Sequence, residues 1–182
     1  MTAVTTWADF AAAEPNLADR TRARFEAHGL ALLATLRADG APRISGIEPL
    51  IGLGELWLAM MPDGRKSADL RRDPRLTLHN ATTDKAVTDG DVKVSGRAVA
   101  DSDPDSDPDP TSEVGSGTGT GTGEIARFRD EFERQTGQAP PPGDFDLWRV
   151  DLTEVSMITP AGDHLVIETW HPGHPVRRVK RY

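Results

Sequence analysis

At Gly64-Arg65-Lys66-Ser67 two cations and a hydroxyl stand where a short helical pattern begins. The first turn of a helix leaves backbone N–H groups unpaired and carries partial positive charge, so residues of these types at that place can bind an anion. Spacing alone leaves a second reading equally open, a solvated turn whose charges pair with Asp63 and Asp69. Other constellations point to less. His171 and His174, with His164 nearby, fall in or beside a His-Pro-Gly-His-Pro turn without a carboxylate at helical spacing, so no metal site is expected. His79 alternates with Leu76 and Leu78 and is expected to be satisfied by a neighbour. The repeat from Gly115 to Gly123 follows no strand and lies just after a run of aspartates that would repel a pyrophosphate. No Gly-Lys-Ser/Thr closes a phosphate loop, and Ser45-Gly46 lacks the leading Gly-x of a nucleophile elbow.

Composition narrows the classes further. The 182 residues contain no cysteine, which excludes disulfides, thiolate metal sites and a cysteine nucleophile and predicts a cytoplasmic protein. No apolar stretch approaches the roughly 18 residues of a membrane span, and the first residues lack a signal-peptide pattern. Asp101, Asp103, Asp105, Asp107, Asp109 and Glu113 share one short stretch, and removing these six from the formal charge of −8 leaves about −2. Against that nearly neutral background, Arg71-Arg72-Asp73-Pro74-Arg75 and Arg177-Arg178-Val179-Lys180-Arg181 are local cationic patches. They are not interleaved with aromatics, so a small anion is the expected partner rather than nucleic acid.

The elements that must position the turn follow from periodicity. An amphipathic helix is predicted from Leu17 to His28, capped by Asn16 and ended by Gly29. Strands are predicted at Leu30 to Leu36 and Pro42 to Pro49, joined at the Asp39-Gly40 hairpin, and at Glu55 to Met61, the three forming a meander. A two-turn helix over Lys66 to Arg72 ends before Asp73-Pro74. Strands at Arg75 to His79 and Asp91 to Ala100 come next. Residues 101–123, acidic and then Ser/Thr/Gly-rich, are expected to be a disordered insertion within a single domain spanning 1–182. The helix Glu124 to Gln135 aligns Ile125, Phe128 and Phe132 and offers Arg127–Glu131 and Asp130–Arg134 pairs. Two further strands, Phe145 to Met157 and Leu165 to Trp170, bring the total to seven. So many antiparallel strands with so few helices predict a mainly β chain whose sheet closes on itself as a small barrel.

Two segments carry a family likeness. Ala31 to Ser45, with Ala34-Thr35 and Asp39-Gly40-Ala41-Pro42, resembles the first hairpin of the pyridoxamine 5'-phosphate oxidase-like split β-barrels. Arg65-Lys66-Ser67-Ala68-Asp69-Leu70-Arg71-Arg72-Asp73-Pro74-Arg75-Leu76 resembles the element that follows the family's third strand. The resemblance covers residues 28 to 100 and implies a homodimer with FMN, or the deazaflavin F420, at the interface. It further implies that Arg65, Lys66 and Ser67 hold the cofactor phosphate. Arg43, Ile44, Ser45 and Gly46 would approach the ribityl chain and ring, with Met60 and Met61 beside the ring. The implied activity is hydride transfer to or from a small organic substrate, with no side chain singled out as catalytic. The alternatives are an F420-dependent reductase and a flavin- or haem-binding carrier or sensor without turnover. Trp170 and Arg177 have the chemistry of the family's substrate-gripping tail without its pattern; a basic surface strand is the other reading of that tail.

Overall fold

Thr6 starts the first helix. Its hydroxyl accepts from the Asp9 backbone N–H at 3.1 Å and the Asp9 carboxylate accepts from the Thr6 N–H at 2.9 Å, a reciprocal cap on α1 (Trp7–Ala13). The pattern had not suggested this helix. α2 (Pro15–Glu26) follows with Pro15 in its first turn, a position where the missing N–H costs nothing. The expected Asn16 cap is therefore absent, and Asn16 lies inside the helix. The structure, a computed structural model, describes residues 4–100, 122–140, 142–143 and 145–182. The expected insertion falls outside these residues except for Thr122 and Gly123, which belong to a helix.

Among the described residues nine strands form one antiparallel sheet in place of the seven expected. β1 (Ala31–Leu36) and β2 (Pro42–Ile47) pair across the Asp39-Gly40 turn as predicted, with Gly40 at φ 83°. The stretch Pro42 to Pro49 is not one strand: it breaks at Glu48, and Pro49–Gly52 is a separate β3. Among the described strands β3 pairs only with β4 (Glu55–Met60), so the predicted three-strand meander does not form. The remaining strands are β5 (Arg75–Asn80), β6 (Asp91–Ala100), β7 (Asp146–Ala161), β8 (His164–Trp170) and β9 (Arg177–Arg181). Pairing runs β2-β1-β5-β6-β7-β4-β3, and since one residue, Glu48, joins the two ends of that path, the chain itself closes the barrel. Two helices complete the set, α3 (Arg65–Arg72) and α4 (Thr122–Thr136). The protein is a mainly β split barrel.

Burial explains the layout. Leu33, Leu56, Leu58, Leu78, Val92, Val94 and Val150 point into the barrel, and Phe10, Phe25 and Leu70 bring the helices to the same core. β4 is buried on both faces because Trp57 points outward under α4, where Phe128 meets it with ring centroids 6.3 Å apart. The predicted apolar face of α4 is the one used, with Ile125 and Phe132 flanking Phe128. Its ion pairs differ from expectation: Arg127 pairs with Glu124 and Arg134 with Glu131, each at i,i+3. No helix among the described residues is long and apolar enough to cross a membrane.

β7 is long because it serves two neighbours, β4 along its first residues and β8 along its last, with β6 beside both stretches. The β6–β7 register shifts between Ser95 and Gly96, where a Cβ on Gly96 would stand 2.4 Å from the Asp151 carbonyl oxygen and 2.6 Å from Val150 Cγ1. Gly96→Ala should therefore cost about 1–3 kcal/mol of stability, as overpacking does, read as a lowered urea midpoint. An unchanged midpoint would show that the strands separate freely at this bulge.

Candidate functional site

α3 begins at Gly64, whose extended backbone (φ −61°, ψ 144°) turns the chain out of β4 with no side chain capping the helix. Its first N–H groups are thus left for solvent or a ligand. The inner face of α3 is fixed to the barrel. Leu70 enters the core, and Asp69, 3% exposed, accepts from Thr35 Oγ1 at 2.9 Å, Arg43 Nε at 2.6 Å and Arg72 at 3.3 Å. Burial alone would push the Asp69 carboxyl up; the hydrogen bonds from Arg43, Thr35 and Arg72 outweigh it and hold the group below the usual carboxylate range. Asp69 therefore does not pair with the Arg65-Lys66 turn.

That leaves the turn's cations to a cavity of 580 Å³ between α3, β2 and the end of β4. Arg43, Ser45 and Gly46 form one wall, Met60 and Met61 another, and Arg65 and Lys66 the third. Lys66 Nζ donates to the Gly46 carbonyl at 3.0 Å. Burial lowers its pKa from the ordinary lysine value, and the Glu48 carboxylate partly restores it. Among the described residues Arg65 makes no ion pair. A Cβ at Gly46 would meet nothing within 4 Å, so no neighbour in the chain requires glycine there. A second, adjoining cavity of 350 Å³ shares Arg43 and Arg65 and adds Arg37 and Arg72. The donor set fits a phosphate, and the open strand backbone beside it fits a flat ring.

Four predicted residues are placed elsewhere. Ser67 turns inward: it is fully buried, donates to the Asp146 carboxylate and accepts from Trp148 Nε1 at 3.3 Å. Ile44 lies on the opposite face of β2 from Arg43 and Ser45, 70% exposed, because strand side chains alternate. Trp170 is a core residue at 2% exposure, its ring 4.6 Å from Phe10, so its face is not available to a substrate. Arg177 lies on the exposed strand β9, the basic surface strand of the other reading. Residues that pattern had not singled out also line the cavity, Leu30, Ile47, Glu48 and Ala59, and Gly64 of the predicted turn joins them. Among the described residues no group of acids and histidines could hold a metal. His79 is satisfied by the Asn80 carbonyl at 2.7 Å and Asp91 at 3.0 Å.

A family model described as pyridoxamine 5'-phosphate oxidase matches residues 17–159. The chain belongs to this family. Solved structures agree on the fold of this pyridoxamine 5'-phosphate oxidase family member. A pyridoxamine 5'-phosphate oxidase-related, FMN-binding protein from Nostoc punctiforme superposes with TM-score 0.60 at 14% identity, covering 93% of this chain and 96% of that one. PhzG from Burkholderia lata, in complex with tetrahydrophenazine-1-carboxylic acid, gives 0.59 at 15% identity over 100% and 98%. A heme-binding protein from Mycobacterium smegmatis gives 0.50 at 19% identity over 84% and 57%. No curated protein matches the chain.

Because the Asp69 carboxyl titrates below its unfolded value, its ionised form contributes stability that is complete above about pH 4 and is lost as the pH falls through the folded value. Asp69→Asn should accordingly be less stable than wild type at pH 7, with the gap shrinking at pH 3 in urea unfolding. A gap of constant size would remove the charge from the explanation.

Proposed function

We propose that this protein is an FMN-dependent oxidoreductase that transfers a hydride to or from a small organic molecule. The observation that supports it most is the cavity whose one wall is the α3 N-terminus with Arg65 and Lys66 and whose other wall is the β2 backbone at Ser45 and Gly46. Arg65, Lys66 and the first N–H groups of α3 would hold the phosphate, with charge-assisted bonds in a partly desolvated place. Arg43, kept in position by Asp69, would face the same end of the ligand. Met60 and Met61 would flank the ring, their thioethers giving a soft, adaptable contact. The bound flavin supplies the redox chemistry, while the protein's residues bind it, orient it and exclude water from one side. The Nostoc relative's description as FMN-binding favours FMN over F420.

The exposed apolar side chains Leu32 and Ile44 on the outer face of β1 and β2 favour a homodimer formed across that face. Light scattering should then give twice the 19.7 kDa chain mass. A monomer at micromolar concentration would argue against it.

Lys66→Ala should weaken FMN binding by about 1–3 kcal/mol, measured by quenching of flavin fluorescence, and leave the melting temperature nearly unchanged. Ser67→Ala should do the reverse, lowering stability by a similar amount because it strands the Trp148 N–H and deprives Asp146 of a donor, with FMN affinity kept. Equal effects of the two changes on affinity would overturn this assignment, and a parallel titration with F420 decides between the cofactors.

A further inference from the structure

Beside the candidate cofactor cavity lies another, of 480 Å³, within the size range of small-ligand sites. The two share Glu48, Ala59, Met60 and Met61, so these four residues form the wall between a molecule in one and a molecule in the other. Its remaining walls are Phe128, Phe132 and Phe145 together with Pro62, Pro140 and Pro142. The three phenylalanines already pack ring against ring, edge-on for Phe128 and Phe145 with centroids 5.5 Å apart and tilted for Phe128 and Phe132 at 6.1 Å, an arrangement that another ring can extend. Among the described residues Glu48 is the only ionisable side chain on this lining; it is exposed and forms no ion pair with any of them. Arg129 covers the Phe145 ring at 4.9 Å but is tied to the Gly143 carbonyl and does not line the cavity. The cations Arg65 and Lys66 line the neighbouring cofactor cavity and not this one.

Resting on the flavin reading, we propose that this cavity is the substrate site and that it takes aromatic molecules that are neutral or cationic, Glu48 at the shared rim turning anionic ones away. A carboxylate bordering an apolar pocket repels a second anion and attracts an amine, whereas three phenyl rings and three prolines offer an incoming anion no compensating donor.

Two fluorescent probes with one skeleton test this directly: neutral N-phenyl-1-naphthylamine and its sulfonate, 8-anilinonaphthalene-1-sulfonate. The neutral probe should bind with a blue-shifted emission at least about tenfold more tightly than the sulfonate, and Glu48→Gln should bring the two within about threefold. Phe132→Ala should weaken the neutral probe several-fold. Met61→Ala, at a side chain 80% exposed and so without consequence for folding, should weaken it as well. Lys66→Ala should not affect it, and saturating FMN should leave it bound. Displacement of the probe by FMN, or equal affinity for the sulfonate in the wild type, overturns the proposal. If FMN fails to bind while the probe pattern holds, the cavity's selectivity stands and the flavin reading falls.

Discussion

One buried carboxylate organises this end of the molecule. Asp69 reaches from α3 to Thr35 on β1 and Arg43 on β2 and holds Arg72 on its own helix, so a single group fixes three elements relative to one another. A buried charge with fewer partners would be costly, and these bonds keep it ionised. The consequence is electrostatic as much as mechanical. With Asp69 engaged on the inner side of α3, the outward Arg65 and Lys66 are left without a carboxylate of their own helix, and the turn retains net positive charge.

The barrel supplies the rest of the geometry. Closure through Glu48 places β2 and β4 on either side of one opening, which is why Gly46, Met60 and Lys66, distant in sequence, border one cavity. Ser67, Asp146, Arg71 and Trp148 form a second tie, between α3 and the start of β7, so the helix is held on both flanks of its buried face. α4 then covers the outside of β3 and β4, and its aromatic face walls the neighbouring apolar cavity. The two cavities thus have opposite characters because one borders a helix N-terminus and the other the side of an amphipathic helix.

Local signals were legible in the sequence. The Asp39-Gly40 turn, the two-turn α3 and the apolar face of α4 each depend on a few adjacent residues, and each has its place in the fold. The cap of α1 was also readable, since Thr6-Trp7-Ala8-Asp9 is a capping-box spacing, but Asp in place of the usual Glu or Gln makes it a weaker signal. Pairing beyond that first hairpin was not legible. Whether β2 meets β4 is decided by long-range register, and β7 took that place in a way no short pattern reveals. The expected site residues that do not line the cavity share one cause: a motif says which residues are near a ligand but not which face they turn to it. Ser67 falls on the buried side of α3 and Ile44 on the far side of β2. Trp170 enters the core through the alternation that also buries Glu168 two residues earlier. Asp69 had looked like an ordinary surface acid, and only its burial identifies it as the anchor.

The central claim is that this turn binds the phosphate of a flavin-type cofactor. Titration of the wild-type protein with FMN and with riboflavin, which has the same ring and no phosphate, tests it most directly. The structure predicts FMN to bind at least about tenfold more tightly, a difference of about 1.4 kcal/mol or more. Equal affinity for the two would contradict the account.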